Sequence, residues 1–323
     1  MVDARPVVVL TRIPDPTADL VITELNAGGI PVVRFDPADF PLGVWLTARV
    51  GAGAGVSGRV RLRGRERTVD LASVRAVYYR RPSPFEAAFN FVALAPEERA
   101  FAVAQARYGV GGVLGSLPGC RYVNHPDAVA AAEPKPAQLA VAHSVGLQVP
   151  DTLITDSVED ARAFAAAVGP VVYKPIKHAP YVKDGVKHAA WTTEVDPATF
   201  DATIRQTAHL FQAKIDKVAD ARVTVVGDQV FAALVEGAPL DWRTSQASLD
   251  WRPTRAPDSL ITSMRAYLAR FGLAFGCFDF MIDKAGGWWL AECNPNGQWG
   301  FIQTVTGQPI AAAFADLLAT GRT

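Results

Sequence analysis

Two carboxylates and an amide stand close together near the C-terminal end of this chain: Asp279 within Phe278-Asp279-Phe280, then Glu292 and Asn294 within Glu292-Cys293-Asn294-Pro295-Asn296-Gly297. Residues two apart on a strand share a face, so Glu292 and Asn294 project together while Cys293 points the other way. If residues 274–283 and 287–294 form a hairpin turning about Ala285-Gly286, Asp279 falls opposite Glu292. Carboxylates so placed repel unless a cation neutralises them, and an all-oxygen set that keeps some water suits Mg²⁺ rather than zinc. A polar hairpin end without a ligand explains the same three residues, and the pattern alone does not choose.

Two lysines shift the balance. Lys135 lies between Pro134 and Pro136, which biases its backbone to extended geometry just ahead of a helix start. Lys174 ends the apolar run Val171-Val172-Tyr173-Lys174 on the face of Val172, where an unpaired ammonium is costly. Either one alone reads as a surface lysine. Together, ahead of a carboxylate-carboxylate-amide cluster, they can neutralise a triphosphate and its metal.

A second basic feature is of another kind. Arg59, Arg61, Arg63, Arg65 and Arg67 alternate along the chain, and in one continuous strand all five guanidinium groups would project from one face. That face reads either as a solvated sheet edge protected by charge or as a platform for an acidic peptide, because guanidinium forks bind carboxylates bidentately. Gly53, Gly55 and Gly58 match GxGxxG, but they precede this strand instead of opening a helix, so no dinucleotide site is read from them.

The elements that must position these groups follow from periodicity. An apolar strand at 7–10, a helical pattern at 17–26 stopped by Gly28-Gly29 and a strand at 30–35 make a β-α-β unit, and residues 74–79 add a buried strand; an open α/β domain with a parallel sheet follows. The Gly-rich stretch 109–119 reads as a domain junction. Beyond it come helices at 136–145 and 158–168, strands at 149–155 and 171–174, and a polar segment at 177–190 centred on Asp184-Gly185 that reads as a flap. Strands at 211–215, 221–226 and 230–235, a helix at 259–271 and the hairpin already described complete the chain. The division expected is 1–120, 121–211 and 212–323.

Composition limits what the protein can be. In 323 residues, 32 Lys+Arg balance 32 Asp+Glu, so net charge names no nucleic-acid or anionic-membrane partner. With 50% hydrophobic and 20% charged residues the chain should fold into packed domains. Cys120, Cys277 and Cys293 form no CxxC pair, which disfavours a disulfide framework or a zinc ribbon and fits a reducing compartment. The N-terminus has no signal-peptide core and no run reaches the length of a membrane span, so a cytoplasmic protein is expected.

The assembled motifs resemble the ATP-grasp superfamily, specifically the ribosomal-peptide maturases that make graspetides, such as the microviridin-type ligases. The resemblance rests on Asn124-His-Pro to Lys135, 149–155, Val172-Tyr-Lys174-Pro, Asp220-Ala-Arg222 to Asp228, Asp241-Trp-Arg243, Phe278-Asp279 and Glu292 to Trp299, with Tyr78-Tyr-Arg80-Arg-Pro82 upstream. It implies an ATP-grasp fold, α/β (α+β), behind an N-terminal open α/β pre-ATP-grasp domain. It further implies that Lys135 and Lys174 hold ATP phosphates, that Gln212, Ala213, Lys214 and Ile215 form the adenine hinge, and that Asp220 faces the ribose. Arg243 would stabilise the transferring phosphoryl group, a role for which Arg252 in a second Asp-Trp-Arg copy is the rival. Asp279, Glu292 and Asn294 would bind Mg²⁺. The expected partner is a ribosomally made precursor peptide with a leader and an acidic core; nucleic acid and membrane are not expected, and relatives are often homodimers.

The implied chemistry is condensation. A carboxylate is a poor acyl donor, so ATP would convert an Asp or Glu side chain of the peptide to an acyl phosphate, which a Thr or Ser hydroxyl or a Lys amine attacks to give an ω-ester or ω-amide ring. No catalytic base is inferred; of His125, His143, His178, His188 and His209, the flap residues His178 and His188 are the candidates. The competing readings are a carboxylate–amine ligase that adds a free amino acid and a nucleotide-binding module without chemistry.

Overall fold

The computed structural model describes residues 5–51, 55–64, 67–177 and 181–321. The N-terminal lobe runs β1 (Val7–Thr11), α1 (Pro16–Ala27), β2 (Val32–Phe35), β3 (Val44–Val50), β4 (Val56–Leu62), β5 (Arg67–Asp70), β6 (Ala76–Arg81), α2 (Glu86–Phe89), α3 (Pro96–Ala106), α4 (Gly112–Leu114) and β7 (Arg121–Val123). The order β2-β1-β6-β7 gives the expected parallel sheet. Helix α1 starts where the Asp15 carboxylate accepts the Ala18 N–H at 3.2 Å and Pro16 presets φ. Gly28 and Gly29, the latter at φ +69°, carry the chain out of it.

Two expectations for this lobe need correction. The stretch 109–119 is not all junction: a wide turn over 107–111 joins α3 to α4, because Val110 and Leu114, four apart, bury against the sheet. Nor do the five arginines share one strand. β4 ends at Leu62, Gly64 at φ +76° reverses the chain, and β5 begins at Arg67, which pairs with Leu62. The reversal brings Val69 beside Val60 in the core. Arg59 and Arg61 therefore share the outer face of β4, Arg63 sits in the turn, and Arg65 lies outside the described residues, as do Gly53 and His178.

The central lobe comprises α5 (Pro126–Ala132), α6 (Lys135–Ser144), β8 (Thr152–Thr155), α7 (Val158–Val168), β9 (Val171–Lys174), β10 (Tyr181–Lys183), β11 (Val186–His188), β12 (Thr193–Val195) and β13 (His209–Ala213). Its sheet is antiparallel in the order β12-β9-β13-β8. β10 and β11 pair as a hairpin across Asp184 (φ +52°) and Gly185 (φ +75°), the positive-φ pair that an Asp-Gly turn supplies.

The C-terminal lobe follows with β14 (Lys217–Val226), β15 (Gln229–Glu236), β16 (Arg252–Thr254), α8 (Asp258–Phe271), β17 (Phe275–Asp283), β18 (Trp288–Asn294), α9 (Gly300–Thr306) and α10 (Ile310–Ala319). These strands form an antiparallel sheet, β16-β15-β14-β17-β18. One face is apolar: Val223, Phe278, Phe280, Leu290 and Cys293 pack with Ala142 of α6 and with Met264 and Leu268 of α8. On the other face Phe275, Cys277, Trp299 and Phe314 share a core with Val7, Val9 and Tyr78 of the first lobe. Among the described residues no helix is long and apolar enough to cross a membrane.

Candidate active site

The face of the C-terminal sheet that carries the first-lobe contact also carries the charges. Arg222 on β14 pairs in register with Asp279 on β17, and Asp279 with Glu292 on β18, so one row across three strands reads Arg222-Asp279-Glu292. Thr224, Cys277 and Asn294 make the next row on the same face. The pairing of Asp279 with Glu292 deduced from sequence is thus observed, although the register shifts by one residue between Asp279 and Phe280, where Phe280 pairs with Leu290. Cys293, between the two ligand candidates, is buried in the opposite core.

Every buried charge in this row has a partner. Arg222 Nη1 donates to Asp279 Oδ1 at 2.7 Å, Lys135 Nζ lies 3.2 Å from Glu292 Oε2, and Arg243 Nη1 donates to Glu292 Oε1 at 2.8 Å. Burial raises the Asp279 carboxyl above its ordinary range despite Arg222, and the Glu292 charge adds to that rise. Burial also acts to raise Glu292, but Lys135, Arg243 and Lys174 outweigh it and hold its carboxyl below the usual value. Arg243 is gripped from behind by Asp241, its Nε and Nη2 donating to the two carboxylate oxygens at 2.8 Å each. Arg252, its rival, is exposed and pairs with Glu236, while Trp251 fills the core, so Arg243 alone of the two enters the cleft.

Lys174 ends β9 buried, as its place in the apolar run requires. Its Nζ donates to the Ala291 carbonyl at 3.0 Å and lies 3.4 Å from Gln212 Oε1. Burial pulls its pKa down to about 8, with Glu292 opposing and Lys135 and Arg243 adding to the fall. Gln212, Ala213, Lys214 and Ile215 line a slot with Val172, Met281 and Asp220. The N–H groups of Ala213 and Lys214 donate to Asp151 and Pro170 and fix this strand end. Asp220 pairs with Lys217 at 2.6 Å, and burial lifts its carboxyl to about 6 in spite of that lysine.

The slot meets a second cavity of about 670 Å³ at Trp242, Arg243, Asp279 and Glu292. That cavity holds Lys135, Arg222, Asn294 and Arg81. Among the described residues none of the histidines lines either space. The donor set of Asp279, Glu292 and Asn294 fits a hard divalent cation: all are oxygen donors on one face, and both carboxylates already require neutralisation. Among the described residues no three His, Cys, Asp or Glu side chains gather into a metal site, so the set depends on the Asn294 amide.

The loop after β18 is clamped from the first lobe, and sequence reasoning missed how. Arg80, fully buried at the end of β6, donates from Nη1 to the Asn296 carbonyl at 2.8 Å and from Nη2 to Gln298 Oε1; Asp15 lies 3.7 Å from its Nε. Thr17 Oγ1 donates to the same Gln298 oxygen at 2.9 Å. Arg222 Nη2 donates to the Gln298 carbonyl at 2.7 Å. Asn124 Nδ2 holds the Pro295 carbonyl at 2.8 Å. Gly297 is needed for this close approach, since a Cβ there would lie 2.7 Å from Cys277 Sγ and 3.0 Å from Arg222 Nη2. Arg222 carries the largest unrecognised role; its signal was an arginine inside the apolar run 221–226.

The chain has an ATP-grasp fold, and residues 7–130 match the MvdD pre-ATP grasp domain. Within that class the likeness is to peptide-maturing enzymes. A RiPP-associated ATP-grasp ligase from Chryseobacterium gregarium, solved with ADP and a leader and core peptide, superposes with a TM-score of 0.88 at 24% identity, covering 97% of this chain and 96% of that one. The macrocyclase MdnB from Microcystis aeruginosa MRC gives 0.81 at 27% identity, over 97% and 99% of the two chains. The macrocyclase MdnC of the same organism, bound with precursor peptide MdnA, gives 0.84 at 24%, over 97% and 98%. No curated protein matches this chain by sequence.

Proposed function

We propose that this chain is an ATP-dependent peptide macrocyclase that activates Asp or Glu side chains of a ribosomal precursor and joins them to Thr or Ser hydroxyls or Lys amines of the same peptide. The observation that carries the reading is the junction of slot and cavity, where Lys135, Lys174, Arg222 and Arg243 surround Asp279 and Glu292. Such a junction suits a nucleotide on one side and a carboxylate on the other. ATP bound with Mg²⁺ would supply the phosphoryl group that turns the carboxylate into a competent acyl donor.

The chain's own groups have separable tasks in this reading. Lys135 and Lys174 face the phosphates, while Gln212 to Ile215 and Asp220 face adenine and ribose. Asp279, Glu292 and Asn294 take the metal. With a cation held by Asp279 and Glu292, the Nη1 groups of Arg222 and Arg243 would be released from those two carboxylates, while Arg222 stays anchored on the Gln298 carbonyl and Arg243 on Asp241. Two guanidinium groups are then free to meet the oxygens of a substrate carboxylate and of the phosphoryl group it receives. In this reading the first lobe, through β7, serves support and peptide, the central lobe with Gln212 and Ala213 at the end of β13 serves phosphate and base, and the C-terminal lobe serves metal and acid.

Peptide rather than free amino acid is supported by space. The 670 Å³ cavity shares Glu133 and Lys177 with a further one of about 860 Å³ lined by Tyr79, Phe85 and Tyr108, a combined path far longer than one amino acid fills. Three free cysteines suit a reducing cytoplasm. Mass spectrometry of a precursor incubated with the protein, ATP and Mg²⁺ tests the proposal. Loss of one water per ring, matched by ADP, is expected; gain of residue masses with free amino acids would move the protein to the amino-acid ligases.

A further inference from the structure

The arginine-rich hairpin has no part in the nucleotide and acid sites. Residues 44–70 hold six arginines against two acidic residues, Glu66 and Asp70, in a chain whose charges balance overall. Charge on a sheet is commonly a guard against unwanted pairing at its edges. Here the order is β3-β4-β5, and Arg59 and Arg61 stand on β4, the middle strand, where both edges are already paired. Edge protection therefore does not account for them.

The outer face is ordered by the register. Trp45, Arg61 and Thr68 form one row across the three strands, and Thr47, Arg59 and Asp70 the next. Trp45 is 43% exposed, with the Arg61 guanidinium carbon 5.7 Å from its ring centroid. Beside it Arg61, Arg63 and Arg67 line a hollow of about 420 Å³ with Trp45, Leu62, Gly64 and Thr68, and among the described residues no acidic side chain lines it. None of the ion pairs of the described residues involves Arg59, Arg61, Arg63 or Arg67. Arg63 Nη1 donates to the Leu42 carbonyl at 3.5 Å, and Arg59 and Arg61 are exposed.

We propose that this face is a docking surface for a carboxylate-rich, extended segment of the peptide substrate, bound outside the catalytic cleft. The proposal rests on the macrocyclase reading for the identity of the occupant. The chemistry comes from the surface: guanidinium forks take carboxylates in pairs, successive acidic side chains of an extended strand match arginines one register step apart, and Trp45 offers a ledge for an apolar side chain between them. Docking here would hold the acidic peptide near the enzyme while one carboxylate at a time enters the cleft, raising its local concentration.

Fluorescence anisotropy with a labelled oligoglutamate peptide, and an oligoglutamine peptide of equal length, tests the surface without any turnover. The wild-type chain should bind the first and not the second, with affinity falling as salt rises. Combined Arg61→Gln, Arg63→Gln and Arg67→Gln should raise the Kd at least about tenfold, leave ADP affinity unchanged and weaken the salt dependence. Equal binding of both peptides, or an unchanged Kd in the triple variant, overturns the proposal, as does tighter binding of RNA or polyphosphate than of oligoglutamate at matched charge. A changed sedimentation coefficient in the triple variant would make the face a contact between copies and also overturn it. With a precursor that the enzyme cyclises, the triple variant should raise KM several-fold with kcat unchanged; an unchanged KM removes the substrate as occupant. If no precursor is cyclised by the wild type, the macrocyclase reading fails while the oligoglutamate result stands.

Discussion

The cleft of the C-terminal sheet and the outer face of β3-β4-β5 both concentrate arginine, and they treat it in opposite ways. Arg222 is buried, its Nη1 on Asp279, its Nη2 on a backbone carbonyl and its plane over Trp242 and Phe301. Arg59 and Arg61 lie in water without a carboxylate partner among the described residues. A buried guanidinium without its acid is expensive, so Arg222 must keep Asp279 at rest and exchange partners when a ligand arrives. The exposed sheet bears no such constraint and keeps its charges free, at the cost of screening by salt.

The largest test of that contrast is at Asp279. Asp279→Asn retains shape and a partner for Arg222 but removes a carboxylate from the metal set, so peptide-dependent ADP release should fall about a thousandfold or more while the fold persists. Asp279→Ala should also lose about 3–5 kcal/mol of stability, because Arg222 is left buried and unpaired. Adding Arg222→Met to the alanine variant should recover much of that loss in urea denaturation. If the single and double variants unfold alike, the Arg222–Asp279 pair does not constrain the cleft.

Much of this site was legible from type and spacing. The hairpin register followed from strand periodicity and one Gly-containing turn, and it put Asp279 opposite Glu292 as found. Lys174 was marked by an ammonium at the end of an apolar run, which only a buried partner set makes tolerable. Arg222 and Gln298 were not found, since their value depends on contacts 57 and 76 residues apart along the chain for Arg222, which no local period encodes. The five-arginine run failed for a local reason, Gly64, whose positive φ turns the chain before the alternation is complete. The helical continuation through 107–114 was hidden because glycines mark turns in general and here are outvoted by Val110 and Leu114 packing on the sheet.

A smaller effect should come from the clamp of the first lobe on the cleft. Gln298 links Arg80 and Thr17 through its side chain to Arg222 through its carbonyl. Gln298→Leu keeps the volume and removes the acceptor. It should raise the Mn²⁺ concentration needed to form the metal–nucleotide complex about tenfold, read by loss of the free Mn²⁺ electron-resonance signal with ADP present. Gln298→Glu, which still accepts from Arg80, should lie near wild type. Equal defects in both would reduce the residue to packing.

Lys174 gives a more modest, pH-specific signal. With its pKa lowered by burial to about 8, it is half charged at pH 8 before nucleotide arrives. Phosphates favour the ammonium and raise that pKa again, so ATP binding at pH 8 should take up about half a proton, seen as a dependence of calorimetric heat on buffer ionisation enthalpy. Nucleotide affinity should weaken as pH rises above 8, because the proton must then be acquired on binding. Lys174→Met should abolish the uptake; uptake preserved in that variant would assign it to another group.

The smallest expected effect completes the contrast and is the sharpest control on it. Arg59→Gln deletes one positive charge, as Arg222→Gln does, but from a solvated face with no ion pair to break. Its unfolding free energy should stay within about 0.5 kcal/mol of wild type, and turnover on a substrate lacking an acidic tract should not change. Arg222→Gln should instead cost about 3–5 kcal/mol, since it strands Asp279. A large loss at Arg59 would mean that the outer face is a structural ion network after all, and its arginines would then not be available to a peptide.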